Sequence, residues 1–291
     1  MSTINAAWKW YLGELCRSFP DNEAKAMARE IFEHFFNIEP AYRVLNPKAP
    51  FSQENMMLLQ NTLERLCNNI PIQYVTGVSH FCDLTIRVDH RVLIPRPETE
   101  ELVLWMHDVL LREYSSRLAK IRILDVCTGS GCIAVAMASR WPNAEVFGCD
   151  NSLEALEVAK KNALENKVGV DFFSCNVLTD NIGLAGLNVV VANPPYVKLS
   201  DKSILRPNVV ENEPHAAIFV PDNDPLIFYR QIAIKAFECL KPGGWLFFEI
   251  NELFPAETSH CIMDAGFEKV VAKNDLNGKP RMLIASKPNP V

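Results

Sequence analysis

The chain has 291 residues, of which 48% are hydrophobic, and its formal net charge is −6. This composition excludes intrinsic disorder, which needs low hydrophobicity and high net charge, and no window reaches the about 18 apolar residues of a membrane span. The acidic balance argues against non-specific binding of nucleic acid, which requires a basic face. The N-terminus shows no basic segment followed by an apolar stretch, so we expect a cytoplasmic protein without a secretory signal.

The first eighty residues are predicted to form a small helical domain. Apolar residues recur at helical spacing in three segments that begin near Asn5, Asp21 and Ser52, and Asp21 is expected to cap the second helix. The domain carries seven basic and eight acidic residues, so it lacks the excess of positive charge that electrostatic binding of nucleic acid requires. These residues alone are compatible with two roles for the domain: recognition of a partner, or structural support of the next domain.

From Phe81 onward the apolar residues alternate, which predicts one strand ending near Val88 and a second strand over residues 92–94. We interpret residues 81–95 as a β-hairpin linker. It would connect the helical domain of residues 1–80 to a larger domain of residues 96–291.

The larger domain alternates predicted strands and helices, a pattern typical of a parallel sheet with helices on both faces. The predicted helices cover residues 102–110, 132–140, 153–166, 226–240 and 256–265. The predicted strands cover residues 121–126, 144–149, 170–174, 187–192, 245–250, 267–273 and 281–285. Three consecutive valines in the fourth strand indicate burial on both faces.

Nine cysteines are scattered along the chain without a Cys-x-x-Cys pair or a neighbouring histidine cluster. Most lie in apolar surroundings, where cysteine behaves as a small buried hydrophobe. We therefore expect neither a bound metal nor a disulfide framework.

A glycine-rich turn follows the first strand of the larger domain. Residues 129–134, Gly-Ser-Gly-Cys-Ile-Ala, match the G-x-G-x-x-G/A pattern between a strand and a helix. Asp150 ends the next strand, where an acidic side chain can accept hydrogen bonds from two ribose hydroxyls. Nicotinamide cofactors and S-adenosylmethionine share this geometry, so the motif by itself predicts an adenosine-containing cofactor of either kind.

Three further features favour S-adenosylmethionine. Asp125 ends the first strand, where a carboxylate can pair with the cationic groups of a methionine moiety and would repel a pyrophosphate. Asn176 follows the third strand and can accept a hydrogen bond from the adenine amino group. The strongest feature is a tetrapeptide at the carboxyl end of the buried fourth strand, Asn193-Pro194-Pro195-Tyr196.

This tetrapeptide can bind a planar amino group. The Asn193 side-chain oxygen and the Pro194 carbonyl can accept both of its hydrogens, and Tyr196 can stack on its plane. The two prolines fix the backbone and remove its N–H donors. Such acceptors raise the lone-pair character of a conjugated nitrogen and orient it for methyl transfer. The predicted acceptor is therefore an amide or the exocyclic amine of a base.

The chain resembles the PrmC/HemK family over nearly its whole length. The most specific segment is residues 92–100, Val-Leu-Ile-Pro-Arg-Pro-Glu-Thr-Glu, in combination with a helical N-terminal domain. Further segments in the family's order are 71–77, 125–131, 193–196, Glu213-Pro214, Tyr229-Arg230, 242–244 and Glu249-Ile250. Four features depart from the family's pattern. Cys127 stands where glycine is usual, and Asn176 stands where aspartate is usual. Residues 251–254 replace the usual Gly and Gln after Glu-Ile, and residues 219–222 replace a glycine-rich stretch.

The resemblance implies an α/β fold with a Rossmann-like class I methyltransferase sheet, mostly parallel with an antiparallel last strand. It implies methyl transfer from S-adenosylmethionine to the glutamine side-chain amide in the Gly-Gly-Gln motif of peptide-chain release factors, with residues 1–80 recognising the release factor. The catalytic residues would be Asn193, Pro194, Pro195 and Tyr196. The cofactor-binding residues would be Asp125, Cys127, Thr128, Gly129, Ser130, Gly131, Asp150, Asn151, Asn176, Val177 and Asn193. Neither a metal, nor sequence-specific nucleic-acid binding, nor membrane association is expected.

Three alternative functions can be compared with this one. An adenine-amino methyltransferase would use the same tetrapeptide but would need a basic surface for DNA or RNA and a pocket for a flipped base. A nicotinamide-dependent oxidoreductase is supported by the glycine pattern alone. A non-catalytic binding module is hard to reconcile with intact cofactor and acceptor motifs.

Overall fold

The computed structural model describes residues 2–290 and divides the chain into two compact units. The first unit comprises Met1–Gly77 and Arg206–Asn212, and the second comprises Val78–Leu205 and Glu213–Val291. Residues 81–95, interpreted from the sequence as a linker, lie within the second unit. The segment 206–212, which the sequence did not single out, belongs to the first unit, where the Asn212 side chain donates a hydrogen bond to the Asn69 carbonyl.

The first unit is helical, with one short pair of antiparallel strands. Its elements are β1 (Ser2–Thr3), α1 (Ile4–Leu15), α2 (Asp21–Phe36), α3 (Pro40–Leu45), β2 (Pro50–Phe51), α4 (Gln53–Cys67) and α5 (Ile72–Thr76). Ser52 caps α4, accepting a hydrogen bond from the Asn55 N–H at 3.0 Å. The expected cap of α2 is wrong, because Pro20 occupies the cap position and Asp21 is the first helical residue. At this position the negative charge of Asp21 still interacts favourably with the positive end of the α2 helix dipole.

The second unit contains the remaining helices and strands, apart from α9 (Pro207–Asn212), which belongs to the first unit. Its helices are α6 (Pro97–Tyr114), α7 (Cys132–Arg140), α8 (Leu153–Glu165), α10 (Ile227–Cys239) and α11 (Pro255–Asp264). Its strands are β3 (Val78–Phe81), β4 (Leu84–Arg87), β5 (Arg122–Val126), β6 (Glu145–Asp150), β7 (Asp171–Ser174), β8 (Leu187–Ala192), β9 (Val197–Lys198), β10 (Phe219–Val220), β11 (Leu240–Glu249), β12 (Glu268–Asn274) and β13 (Pro280–Ser286). Within residues 2–290, no helix has the length and apolar character needed to cross a membrane.

The central sheet has seven strands in the order β12-β13-β11-β8-β5-β6-β7. The pairs from β11 to β7 are parallel, whereas β13 runs antiparallel to both of its neighbours. The predicted mostly parallel sheet with an antiparallel last strand is therefore confirmed. From β5 the sheet extends through β6 and β7 on one side and through β8 on the other. This change of direction opens a crevice at the carboxyl ends of β5 and β8, where such sheets bind ligands.

The β-hairpin lies earlier than predicted. β3 and β4 pair with each other through a turn at Cys82 and Asp83, both in the left-handed region. Residues 92–94 do not form a strand; instead the Ile94 N–H donates a hydrogen bond to the Glu213 carboxylate at 3.1 Å. Val92 and Ile94 are buried, so their alternation in the sequence reflects packing in an extended segment whose polar partner is a side chain.

Candidate active site

A cavity of about 370 Å3 lies at the carboxyl ends of the parallel strands in the second unit. Eight of the predicted site residues line it: Cys127, Gly129, Asp150, Asn151, Asn176, Val177, Asn193 and Pro195. The other predicted residues do not contribute to its lining: Asp125, Thr128, Ser130, Gly131, Pro194 and Tyr196. The structure thus brings residues from four strand ends to one cavity and leaves a second set to support it.

The glycine-rich turn between β5 and α7 has three residues in the left-handed backbone region. The φ angle is 60° at Cys127, 55° at Gly129 and 78° at Gly131. A Cβ atom on Gly131 would lie 2.9 Å from the Cβ of Ala159, so a larger residue does not fit there. At Cys127 a side chain occupies a conformation that favours glycine, and it lies in the cavity lining.

Asp150 fixes the glycine-rich turn from the end of β6. Its Oδ2 accepts a hydrogen bond from the Gly129 N–H at 2.9 Å, and its Oδ1 accepts one from the Ser152 N–H at 2.9 Å. Burial raises the pKa of the Asp150 carboxyl, and these backbone donors oppose the shift. Each oxygen of an ionised carboxylate has a further acceptor site, so Asp150 can still accept hydrogen bonds from two hydroxyl groups in the cavity.

Asp125 supports the same turn from below. Its side chain is fully buried, and its Oδ2 accepts hydrogen bonds from Thr128 Oγ1 at 2.5 Å and from the Ala134 N–H at 3.2 Å. Among the described residues, its Oδ1 has no hydrogen-bond partner. Burial raises the pKa of Asp125 to about 7. The carboxyl anchors the turn, and its expected contact with the methionine part of a cofactor stays a prediction.

Two more predicted residues are held by hydrogen bonds within the second unit. The Asn176 side-chain oxygen accepts a hydrogen bond from the Leu178 N–H at 3.1 Å, so one of its acceptor sites is already used. The Ser130 carbonyl accepts a hydrogen bond from Asn162 Nδ2 at 2.8 Å. Asn162, a buried residue that the sequence did not single out, also pairs with both the N–H and the carbonyl of Arg87.

A hydrogen-bonded chain of three side chains orients Asn193. Thr99 Oγ1 donates to Glu249 Oε2 at 2.5 Å, and Asn193 Nδ2 donates to Thr99 Oγ1 at 3.0 Å. A threonine hydroxyl has one hydrogen, and here it goes to the carboxylate. Thr99 must therefore act as an acceptor toward Asn193, and this identifies the amide nitrogen as the atom that faces Thr99. The Asn193 side-chain oxygen and one amide hydrogen remain for other partners.

Tyr196 is tied to the same carboxylate. Its hydroxyl donates to Glu249 Oε1 at 3.0 Å, and its backbone carbonyl accepts a hydrogen bond from Asn251 Nδ2 at 2.9 Å. The Asn251 N–H in turn donates to the hydroxyl of Tyr229 at 3.1 Å. These contacts fix both the ring and the backbone at the end of the tetrapeptide.

Glu249 is the centre of this network and is almost fully buried. Burial raises the pKa of its carboxyl, while the hydrogen bonds from Thr99 and Tyr196 and the charge of Arg281 oppose the shift. Both carboxylate oxygens have a donor, so Glu249 acts by holding its two partners in place.

Thr99 and Glu249 lie in segments that resemble the PrmC/HemK family, and the sequence motifs assign neither residue a role. The two lie 150 positions apart in the chain, and no spacing rule connects them. Their only sequence signal was membership of the segments shared with the family. Within residues 2–290, no group of three or more histidine, cysteine or acidic side chains is placed to hold a metal ion.

The cavity suits a ligand that carries a ribose. Asp150 offers acceptors for two hydroxyls, and Gly129 brings backbone close to the space. The apolar lining, with Val92, Val177 and Phe228, can cover an aromatic base. These residues fit the adenosine part of S-adenosylmethionine, the cofactor expected from the sequence.

Two family models match the chain. Residues 11–77 match the PrmC N-terminal domain, and residues 107–216 match the methyltransferase small domain. The first match falls in the helical unit, and the second includes the glycine-rich turn and the tetrapeptide.

Relatives with assigned names match almost the whole chain. A release factor glutamine methyltransferase of Flavobacterium psychrophilum is 38% identical over 94% of this chain and 95% of its own length. A protein of the same name from Bacteroides thetaiotaomicron is 38% identical over 92% of this chain and 95% of its own. Among solved structures, a methyltransferase from Pyrococcus furiosus has a TM-score of 0.51 at 17% identity and covers 70% of this chain and 89% of its own. That likeness shows the fold alone.

Proposed function

We propose a function from one premise: the chain belongs to the family of release factor glutamine methyltransferases, to which its relatives at 38% identity are assigned. It is an S-adenosylmethionine-dependent methyltransferase that modifies the side-chain amide of a glutamine in a peptide-chain release factor. We assign the reaction to the glutamine of the Gly-Gly-Gln motif. The observation that carries this assignment is the orientation of Asn193 at the cavity wall by Thr99.

The cofactor would bind through the residues at the carboxyl ends of β5, β6 and β7. Asp150 would accept hydrogen bonds from the ribose hydroxyls, Asn176 would accept one from the adenine amino group, and Gly129 would allow close approach of the backbone. When bound, S-adenosylmethionine supplies an electrophilic methyl group. Asp125, Cys127, Thr128, Ser130, Gly131, Asn151 and Val177 complete the proposed cofactor site.

The tetrapeptide would bind the glutamine amide. The Asn193 side-chain oxygen and the Pro194 carbonyl would accept the two hydrogens of the amide –NH2, while Pro195 closes the wall and Tyr196 packs against the amide plane. Polarising the N–H bonds raises the lone-pair character of a nitrogen that is normally conjugated with its carbonyl. No charged base is required before transfer, because the nitrogen becomes acidic only after it has gained the methyl group. Catalysis therefore rests on orientation and a preorganised set of acceptors.

Thr99 and Glu249 would act as positioning residues. If the Asn193 amide were rotated by 180°, its oxygen would face the oxygen of Thr99, whose only hydrogen is directed to Glu249. That arrangement is repulsive, so the chain of hydrogen bonds selects the orientation in which the amide oxygen is available to the substrate.

The direct test is transfer of isotope-labelled methyl from S-adenosylmethionine to a purified, unmethylated release factor, followed by mass mapping of its peptides. We expect label on the Gly-Gly-Gln peptide and loss of labelling when its glutamine is replaced by alanine. Label on nucleic acid and none on this peptide would contradict the proposal in favour of an adenine-amino methyltransferase. Because release factors act in translation, we also propose a cytoplasmic location and no direct sequence-specific binding of nucleic acid.

A further inference from the structure

A second cavity, of about 240 Å3, lies within the first unit and is lined by α1, α2 and α3. Trp8 belongs to α1, Lys25 and Arg29 lie one turn apart on α2, and Arg43 belongs to α3. Ile38, which is buried, adds to the apolar part of the lining. We call this space the Trp8–Arg43 cavity. It combines an apolar wall with three cationic side chains.

The Arg43 guanidinium is preorganised. Its central carbon lies 3.9 Å from the centroid of the Trp8 ring, a contact that holds the guanidinium by cation–π attraction. The donors of an arginine lie in the plane of the group and match a carboxylate bidentately. None of the ion pairs found within residues 2–290 uses Arg43, Arg29 or Lys25.

Arg29 is repelled by both of the other cations. Burial lowers the pKa of Arg43, and the charge of Arg29 lowers it further. Lys25 and Arg29 stand four residues apart on α2, a spacing at which like charges destabilise a helix. The unit as a whole carries no excess of positive charge. The grouping of three cationic side chains around this cavity is therefore particular to the cavity and does not reflect a generally basic surface. An anion bound among the three side chains would remove the repulsion.

We propose that the Trp8–Arg43 cavity binds an aspartate or glutamate side chain of the protein substrate, next to an apolar residue. The identity of that partner as a release factor rests on the proposed function. The volume is below the about 300–1,000 Å3 of ordinary small-molecule pockets, so it suits one or two side chains. A nucleic acid would need a row of cations along successive phosphates, whereas here the cations surround one space with an aromatic wall, in a chain of net charge −6.

The test uses the full-length enzyme, intact unmethylated release factor and three variants: Arg43→Gln, the double variant Arg29→Gln/Arg43→Gln, and Lys48→Gln as a matched control. Lys48 is an exposed cation of the same unit outside the cavity. We expect the double variant to raise the KM for release factor at least tenfold, with kcat and the Kd for S-adenosylmethionine unchanged. Its melting temperature should stay close to that of the wild type, because the lost Arg43–Trp8 contact is offset by relief of the repulsion between Arg29 and Arg43. A KM within twofold of the Lys48→Gln control would overturn the proposal.

Calorimetric titration of release factor into each enzyme separates this proposal from the proposed function. Binding that is lost in the double variant supports the cavity even if the wild type transfers no methyl, in which case only the proposed function fails. If the wild type neither binds nor methylates release factor, both fail. A fluorescent RNA oligonucleotide that binds the wild type and not the double variant, with release factor binding unchanged, would assign the cavity to nucleic acid and overturn the proposal.

Discussion

The two walls of the larger cavity are built over different distances along the chain. The cofactor wall consists of the glycine-rich turn and Asp150, with the buried Asp125 supporting it from outside the lining. It is held by carboxylate hydrogen bonds that span at most 21 positions. In the acceptor wall, Asn193 lines the cavity and is held by Thr99, Tyr196 and Glu249, which lie outside the lining. The hydrogen bonds among these four residues span 53, 94 and 150 positions. The first wall can form as soon as the consecutive elements β5, α7 and β6 fold, whereas the second requires α6, the end of β8 and β11 to come together.

The buried carboxylates of the two walls also differ in how many of their oxygens accept a hydrogen bond. Glu249 in the acceptor wall has a donor on each oxygen, but Asp125 in the cofactor wall has both its donors on Oδ2 and, among residues 2–290, none on Oδ1. The acceptor wall is thus a saturated network that fixes one orientation of Asn193. We expect damage to the acceptor wall to reduce the rate of transfer and damage to the cofactor wall to reduce binding.

The largest effect is expected at Asn193. In Asn193→Asp, a carboxylate would face the oxygen of Thr99 without an N–H to donate, and it could no longer pair with both polar groups of an amide. We expect turnover to fall by about 10²–10³, the scale for loss of one oriented group from a preorganised site. Single-turnover transfer with both substrates saturating measures this. Asn193→Ala should lose turnover as well, and in both variants the Kd for S-adenosylmethionine should be maintained. A wild-type rate in Asn193→Asp would make Asn193 a structural turn residue.

Asp150→Ala tests the opposite wall. The variant removes the acceptor of two backbone N–H groups and of the proposed ribose hydroxyls, so the binding of S-adenosylmethionine should weaken by about 1.5–3 kcal/mol, the range for hydrogen bonds to a charged group. Calorimetry gives the Kd, and Asp171→Ala, which removes an exposed carboxylate outside the cavity lining, is the control. The rate of transfer at saturating cofactor should change little. If the affinity for S-adenosylmethionine is unchanged in Asp150→Ala, Asp150 does not bind the ribose.

Thr99→Val should separate orientation from packing in the acceptor wall. Valine keeps the shape of threonine but leaves Asn193 Nδ2 without its acceptor and Glu249 Oε2 without its donor. We expect kcat to fall by about 10–50-fold, equivalent to about 1.4–2.3 kcal/mol of barrier, with the Kd for S-adenosylmethionine unchanged.

Thr99→Ser is the matched control, because it keeps the hydroxyl and loses only a methyl group. It should recover most of the rate. If Thr99→Val lowers the melting temperature but the folded enzyme retains its kcat, Thr99 contributes to stability and has no part in orienting Asn193.

What the sequence could predict follows the same division. The glycine-rich turn is encoded within about ten residues, so its position between β5 and α7 and the acid on β6 were found directly. The departure from glycine at Cys127 is likewise visible in the sequence, and the structure shows its left-handed φ. No short sequence pattern assigns Thr99 a role, because it lies on α6 while its partners lie after β8 and at the end of β11, and only the assembled fold brings them within hydrogen-bond distance.

Errors in the predicted elements have a related cause. Alternating apolar residues at 92–94 indicated a strand, but the polar partner of Ile94 is the side chain of Glu213, 119 positions away. A period of two reports which side chains are buried, and it cannot distinguish a paired strand from an extended segment satisfied by a distant carboxylate. Contacts of this length also brought residues 206–212 into the first unit.

The smallest effect is expected for Asp125→Asn, measured as a change in the free energy of unfolding with pH. This variant tests whether Asp125 binds the cofactor directly or only supports the cofactor wall. The pKa of Asp125 is about 7 in the folded protein, above the about 3.9 of an unfolded aspartate. The folded protein therefore holds the proton more tightly, and the stability of the wild type should fall as pH rises from about 4 to about 7. Asparagine does not titrate, and its oxygen can still accept from Thr128 and Ala134.

The free energy of unfolding of Asp125→Asn relative to the wild type should thus increase by about 1 kcal/mol per pH unit between roughly pH 5 and pH 6. Urea denaturation at several pH values measures this, and parallel curves would show that Asp125 does not titrate in this range. If Asp125 only anchors the turn, its variant should weaken S-adenosylmethionine binding less than about fivefold, well below the effect of Asp150→Ala. A loss as large as that of Asp150→Ala would instead support direct pairing of Asp125 with the cationic part of the cofactor, since the charge is what the substitution removes.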